Sequence, residues 1–229
     1  HYAMVVGSEY LARVGSPTPP PVDIVFPSGG TYYDSGRVHI LRLDRWDWDV
    51  MLHEYGHHVA EHLGIERSPG GPHSGGQHLA DTPGRNKDQG VRLAWGEGWP
   101  TYFAVSALLE MDAASLGIPD VGDARYQDTE DVDVVFDLEI GRALGEDNEV
   151  TVAAVLWDLY DSIGDGRDAI ALGDRAVWSL IQDAQPHTLS DAYAAFTSGG
   201  SATHNGVNCV LTQVNVSPRL SGPGVVGAA

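Results

Sequence analysis

The stretch from Trp46 to Gly64, WDWDVMLHEYGHHVAEHLG, contains His53-Glu54-Tyr55-Gly56-His57, two histidines four residues apart with a carboxylate directly after the first. On an α-helix that spacing sets the imidazoles about 40° apart in azimuth and about 6 Å apart in rise, so both project from one side and can offer nitrogens to a single divalent cation. Glu54 stands one position round from His53, where its carboxylate reaches a water on such an ion without ligating the ion itself. The chemistry these residues suit is activation of water by a metal with a neighbouring general base. Around them, Val50, Met51, Tyr55, Val59 and Leu63 recur at helical spacing, Asp47 or Asp49 supplies an acidic first turn, and Gly64 a stop. The plain alternative is a polar outer face that matches by chance, and the apolar remainder of the helix argues against it.

A catalytic zinc site takes three protein ligands and leaves the fourth position to water. A histidine six residues beyond His57 is ruled out, because Leu63 occupies that place and Ala60 stands where its companion glycine belongs. His58 and His62 pair on another face of the helix, toward the surface or toward supporting groups. His73, His78 and Asp81 are conceivable ligands within the Gly/Pro/His-rich loop 65–88, whose length favours a functional role. Glu97 is the stronger candidate. It lies at the expected head of the next helix in AWGEGWPTYFA, between two glycines that permit close approach and among Trp95, Trp99, Tyr102 and Phe103, which would wall a site. Its bland alternative is a glutamate stabilising a helix dipole. Asp158, Asp161, Asp165 and Asp168 could gather around calcium, the cation hard oxygen ligands favour, but they miss the EF-hand spacing, and a capped turn between two helices is the preferred reading.

These residues need elements to hold them. HYAMVVGSEYLARVG reads as a helix cut at its start, GSPTPPP as a stiff breaker, and VDIVFPSGGTYYDSGRVHILRL as strand–turn–strand in a small sheet. Past the loop, NKDQGVRLAWGEGWPTYFAVSALLEM predicts a second long helix in which Pro100 marks either a start near Gly96 or a kink. Residues 112–148 are acidic and turn-rich; NEVTVAAVLWDLYDSIG, RDAIALGDRAVWSLIQDA and LSDAYAAFTSG predict three further helices. The tail from Gly199 reads as irregular or as the start of a linker.

The 229 residues carry a formal charge of −19, with only 13 Lys and Arg, which argues against nucleic acid and anionic membrane surfaces as partners. No apolar run is long enough to span a membrane and no signal-peptide pattern opens the chain, which reads as an internal fragment of a longer polypeptide flanked by other domains. The single Cys209 allows no internal disulfide and no thiolate zinc site.

HEYGHHVAEHLG, WGEGWPTYFA, VAAVLWDLYD and GRDAI follow one another in the order seen in the fungalysin family of secreted zinc endopeptidases, relatives of thermolysin among the gluzincins, and the chain resembles that family from about Val22 to Phe196. The resemblance implies an α+β, zincin-like fold with a small N-terminal β-sheet, an active-site helix and a mostly helical C-terminal part. The domain is expected over 1–198, with 199–229 a Gly/Ser/Pro-rich tail or linker. It implies Zn2+ on His53, His57 and Glu97, Glu54 as base and proton shuttle, a protein or peptide substrate paired to an edge strand in GTYYDSGRVHIL, and a secreted or cell-surface location. Two positions depart from the family. Thr101 stands where an aspartate supports a ligand histidine, and its hydroxyl can accept from the ring N–H without charge. GEDNEVTVAAVLW holds no histidine to face the oxyanion, that place falling on Glu146 or Thr151; Tyr160 and His187 are the candidate substitutes, with Tyr126, His73 and His78 beside them. Loss of such a donor costs about 10²–10³ in turnover. The departure motivates a rival expectation, a zinc-stabilised binding or scaffold module of a larger extracellular protein; a calcium-dependent adhesion domain rests on the acidic stretch 112–168 alone.

Overall fold

Helix α3 organises the molecule. Almost every residue from Gly90 to Leu108 is buried, so this helix presents no solvent face and other elements must wrap it on all sides. The computed structural model describes residues 1–73, 76–129, 133–140, 144–162 and 170–216. In chain order the elements are α1 (Tyr2–Val14), β1 (Asp23–Ser28), β2 (Tyr32–Asp34), β3 (Arg37–Leu41), α2 (Trp48–Leu63), α3 (Lys87–Glu110), β4 (Arg125–Asp128), β5 (Val134–Asp137), α4 (Glu149–Tyr160), α5 (Asp174–Ala184), α6 (Leu189–Phe196) and α7 (Ser201–Gln213). The architecture is mixed α+β, mostly helical with two small sheets. No helix among the described residues is long and apolar enough to cross a membrane.

Helices α1, α2 and α4 pack directly against α3. The core between them is aromatic: Trp99 stacks on Phe103 at 5.4 Å and meets Trp178 of α5 at 5.6 Å, while Tyr10 of α1 meets Phe103 edge-on and donates its hydroxyl to Asp174 at 2.6 Å. Gly56, between the two histidines of α2, lies at the crossing with α3. A Cβ there would sit 2.9 Å from the Pro100 Cβ, so only a hydrogen lets the two helices approach this closely. Helix α3 covers the long helix expected over NKDQGVRLAWGEGWPTYFAVSALLEM and runs through Pro100, so of the two readings of that proline the start near Gly96 is corrected. The helix is opened ten residues earlier in the chain by a capping box, in which Asn86 accepts from the Gln89 N–H and the Gln89 side chain accepts from the Asn86 N–H. Glu97 therefore sits mid-helix, not at a helix head.

The N-terminal sheet has the order β1-β3-β2, with β1 parallel and β2 antiparallel to β3. GTYYDSGRVHIL is thus a hairpin and not one edge strand: Ser35 (φ 48°) and Gly36 (φ 87°) are both left-handed, the two-residue turn a tight hairpin demands, and β3 is central while β2 lies at an edge. Two further expectations are corrected. Helix α5 begins at Asp174, after Gly173 with φ 79°, and not at Arg167. Nor is the tail from Gly199 irregular: Ser201–Gln213 forms α7, whose buried Val207, Val210 and Leu211 share one face packed onto α4 and α6, so the folded body continues past 198.

Candidate metal centre

The α2–α3 crossing brings His53, His57 and Glu97 together. His53 Nε2 lies 3.2 Å from His57 Nε2, and each lies 3.3 Å from Glu97 Oε2. All three residues are at least nine-tenths buried. Hydrogen bonds on the far side of each ring assign the tautomers. Thr101 Oγ1 donates to the Glu97 carbonyl at 3.0 Å and so accepts from His53 Nδ1–H at 3.1 Å. Glu66 Oε2 can only accept, from His57 Nδ1–H at 3.2 Å. Both Nε2 atoms are left with lone pairs aimed at each other and at a carboxylate oxygen. Three acceptors on one point repel unless a cation or a proton lies among them.

The charges agree. Burial alone would lower the His57 pKa, but the Glu97 and Glu66 carboxylates overcome it and hold His57 well above the ordinary imidazole value. Burial likewise works to raise Glu97, yet His57 and His53 pull it well below the usual carboxylate range. The two carboxylates thus favour a proton on His57 in the absence of an ion, and a cation held here would compete with that proton and bind less firmly as the medium becomes acidic.

His53 and Glu97 open onto a cleft also lined by Thr31, Asp44, Val50, Glu54, His73 and Glu149, with a wall from β4 and β5. Glu54 projects into the cleft, partly exposed, beside the donor cluster. The wall follows strand alternation: Tyr126 pairs with Phe136 and Asp128 with Val134, and these four side chains share the face turned to the cleft. Tyr126 also lies with its ring 5.7 Å from that of His53.

Among the expected oxyanion donors, His73 and Tyr126 line this cleft and the others are placed elsewhere. Tyr160 donates its hydroxyl to Glu110 Oε1 at 2.6 Å at the far end of α3. His187 binds the Gly64 carbonyl at 3.1 Å, and His78 pairs with Asp147 at 3.0 Å. Glu146 accepts from Ser190, and Thr151 lies in the capped first turn of α4. Asp81 is exposed on a short turn. His58 is buried against the sheet, where Nε2–H donates to the Pro20 carbonyl at 2.8 Å; His62 in turn donates to the His58 carbonyl at 2.8 Å, and both serve the packing of α2. Asp158 and Asp161 are buried near the end of α4 and belong to neither group of converging donor atoms, while Asp165 and Asp168 lie outside the described residues.

Two residues of the centre escape a reading of the sequence. Glu66 is one, reached because Gly96 leaves room for the chain after α2; a Cβ on Gly96 would meet the Ser68 Cβ at 2.8 Å. Glu149 is the other. It is 5% exposed at the first turn of α4, and burial, with the nearby Glu97 charge, raises its pKa against the opposing pull of His73. A glutamate at a helix start carries a capping explanation already, which hides it. Replacing Glu66 with alanine is expected to weaken metal affinity roughly tenfold, the lower end for loss of a carboxylate behind a ligand histidine, because Glu66 is partly solvated. Competition against a chromophoric chelator measures it, and a change below twofold would remove Glu66 from the centre.

Comparison with protein-family models, with curated proteins and with solved structures returns no match to this chain, so the reading of the centre rests on its own residues.

Proposed function

We propose that the protein is a secreted zinc-dependent endopeptidase of the zincin type, with His53, His57 and Glu97 as zinc ligands and Glu54 as general base. The observation that carries this reading is the convergence of three lone pairs on one point beside an open cleft that also holds Glu54. Distances favour zinc: a tetrahedral ion with bonds of about 2.0–2.1 Å spaces its ligands about 3.3 Å apart, and the three donor atoms are 3.2–3.3 Å apart. Two imidazoles and one carboxylate are also a donor set that zinc accepts readily.

A zinc ion on these side chains supplies a Lewis acid for the scissile carbonyl and renders a water acidic near neutral pH. The chain supplies the rest. Glu54 takes the water's proton and returns it to the leaving amine nitrogen. Thr101 and Glu66 fix the two imidazoles so that neither swings away as charge develops. The apolar face of Tyr126, Val134 and Phe136 gives an extended peptide a dry wall, and the short strands beside it offer backbone groups for pairing.

The test is cleavage of a generic protein substrate by the chain as prepared, after chelation, and after zinc is restored. Loss on chelation with recovery on zinc is the expected result. A chain that melts earlier on chelation but never cleaves would be the zinc-stabilised scaffold module instead.

A further inference from the structure

His73 enters the cleft from the chain between α2 and α3, with its ring held as a ligand ring is held. Nδ1 lies 3.2 Å from the Gly71 carbonyl oxygen, which can only accept, so Nδ1 carries the proton and Nε2 a lone pair. That lone pair faces Glu97 Oε2 at 3.6 Å and Glu149 Oε2 at 3.5 Å. Glu149 is fixed on its side by the capped start of α4 and by the Gly76 N–H, which donates to its carboxylate. Again one imidazole nitrogen and two carboxylate oxygens, all acceptors, lie within 4.8 Å of one another. Among the described residues lining the cleft there is no lysine or arginine, while Asp44, Glu54, Glu97, Asp128 and Glu149 all contribute to it. One dication on His53, His57 and Glu97 leaves this side of the cleft short of positive charge, and two buried carboxylates facing each other need it.

We propose that the cleft binds a second divalent cation on His73, Glu149 and Glu97, with the Glu97 carboxylate bridging it to the ion on His53 and His57. The inference rests on the zinc reading of that first ion. Glu97 Oε2 is the oxygen that faces His53, His57 and His73 alike, so a shared carboxylate would turn to present its second oxygen to the second ion, and ions bridged in this way stand about 3.5–4 Å apart. One imidazole with two carboxylates suits zinc, cobalt or manganese. The second ion would put positive charge on the side of the cleft formed by the start of α4, between the Glu97 and Glu149 carboxylates. It is the weaker of the two sites, since the His73 side chain is 26% exposed whereas those of His53 and His57 are 11% exposed.

The test is metal stoichiometry of the whole chain after loading with Zn2+ and removal of free ion, read by elemental analysis, with a parallel Co2+ titration read by visible absorption and electron paramagnetic resonance. Wild type is expected to hold two ions per chain, with the second cobalt phase weakening the first ion's magnetic signal through the bridge. His73→Ala and Glu149→Gln each hold one and show a single uncoupled cobalt phase. His73→Ala alters a partly exposed side chain and Glu149→Gln keeps shape, so loss of one ion in both, with an unchanged melting temperature for His73→Ala, separates ligand loss from misfolding. One ion per chain in wild type and in both variants would overturn the second site while leaving the first intact. No ion in wild type would overturn both.

Discussion

Glu54→Gln leaves metal content unchanged and lowers peptide cleavage by about 10²–10⁴-fold, the contribution expected of a positioned general base. The separation of these two effects follows from the geometry. Glu54 lies outside the group of donor atoms formed by His53, His57 and Glu97, yet lines the same cleft. Glutamine preserves the shape and removes only the capacity to take a proton, so neither the tautomers set by Thr101 and Glu66 nor the packing of α2 is disturbed. The folding stability is expected to stay within the range of a surface substitution, about 0.5 kcal/mol. Elemental analysis and single-substrate kinetics on the same preparation measure both quantities. Full turnover in this variant would sink the assignment of the base. Loss of metal alongside activity would instead make Glu54 a ligand, which its position on the helix disfavours.

How far the sequence discloses this site depends on how local each signal is. His53, Glu54 and His57 are legible because one turn of helix fixes their mutual placement, and the apolar period of α2 says which helix it is. Thr101 is legible for the same reason, four residues from Glu97 on one helix. Glu97 is found by its glycines and aromatics, but its depth in α3 is misread: the span from Asn86 onward is legible as one helix, yet Pro100 suggests a start near Gly96 and so puts Glu97 at a helix head, whereas the helix begins at the capping box of Asn86 and Gln89. Glu66 and Glu149 are illegible because each is one acid among 32, with no periodicity tying it to the histidine it meets. The β4–β5 wall is hidden by its setting: RYQD and VVFD are short runs inside a stretch whose aspartates read as turn, and their alternation acquires meaning only once the strands pair. Helix α7 is missed through propensity, since SATHNGVNCVLTQ is rich in weak helix formers; burial of Val207, Val210 and Leu211 supplies what propensity lacks.

Gly98→Ala is the substitution that tests whether the helices are as close as the centre requires. A Cβ at Gly98 would lie 2.5 Å from the Glu149 carbonyl oxygen, 2.6 Å from the Val152 Cβ and 2.8 Å from the Val152 Cγ1. Two effects oppose. Alanine favours a helix interior over glycine by about 1 kcal/mol, whereas overpacking costs about 1–3 kcal/mol, at the upper end here because a backbone oxygen cannot rotate away. The clash wins, and the net loss is about 2 kcal/mol, a fall in Tm of about 4–8 °C for a chain of this size. Gly56→Ala is expected to lose less, because its nearest contacts, the Pro100 Cβ at 2.9 Å and Cα at 3.0 Å, are less severe than the 2.5 Å at Gly98, and Gly29→Ala, with nothing within 4 Å of its Cβ, serves as the neutral reference. The Gly98 variant reports on function as well as stability. Relief of the clash pushes the start of α4 outward, and with it Glu149, so an ion bound against that residue would be held less firmly while the His53 and His57 rings, braced from α3 and the chain after α2, keep their places. Calorimetry of the metal-free and metal-loaded forms measures the two parts: the gap in Tm between Gly98→Ala and wild type should widen when metal is present. An alanine that leaves both forms within about 1 °C of wild type would mean that α3 and α4 do not meet at Gly98, and that Glu149 is not held against Glu97 by their packing.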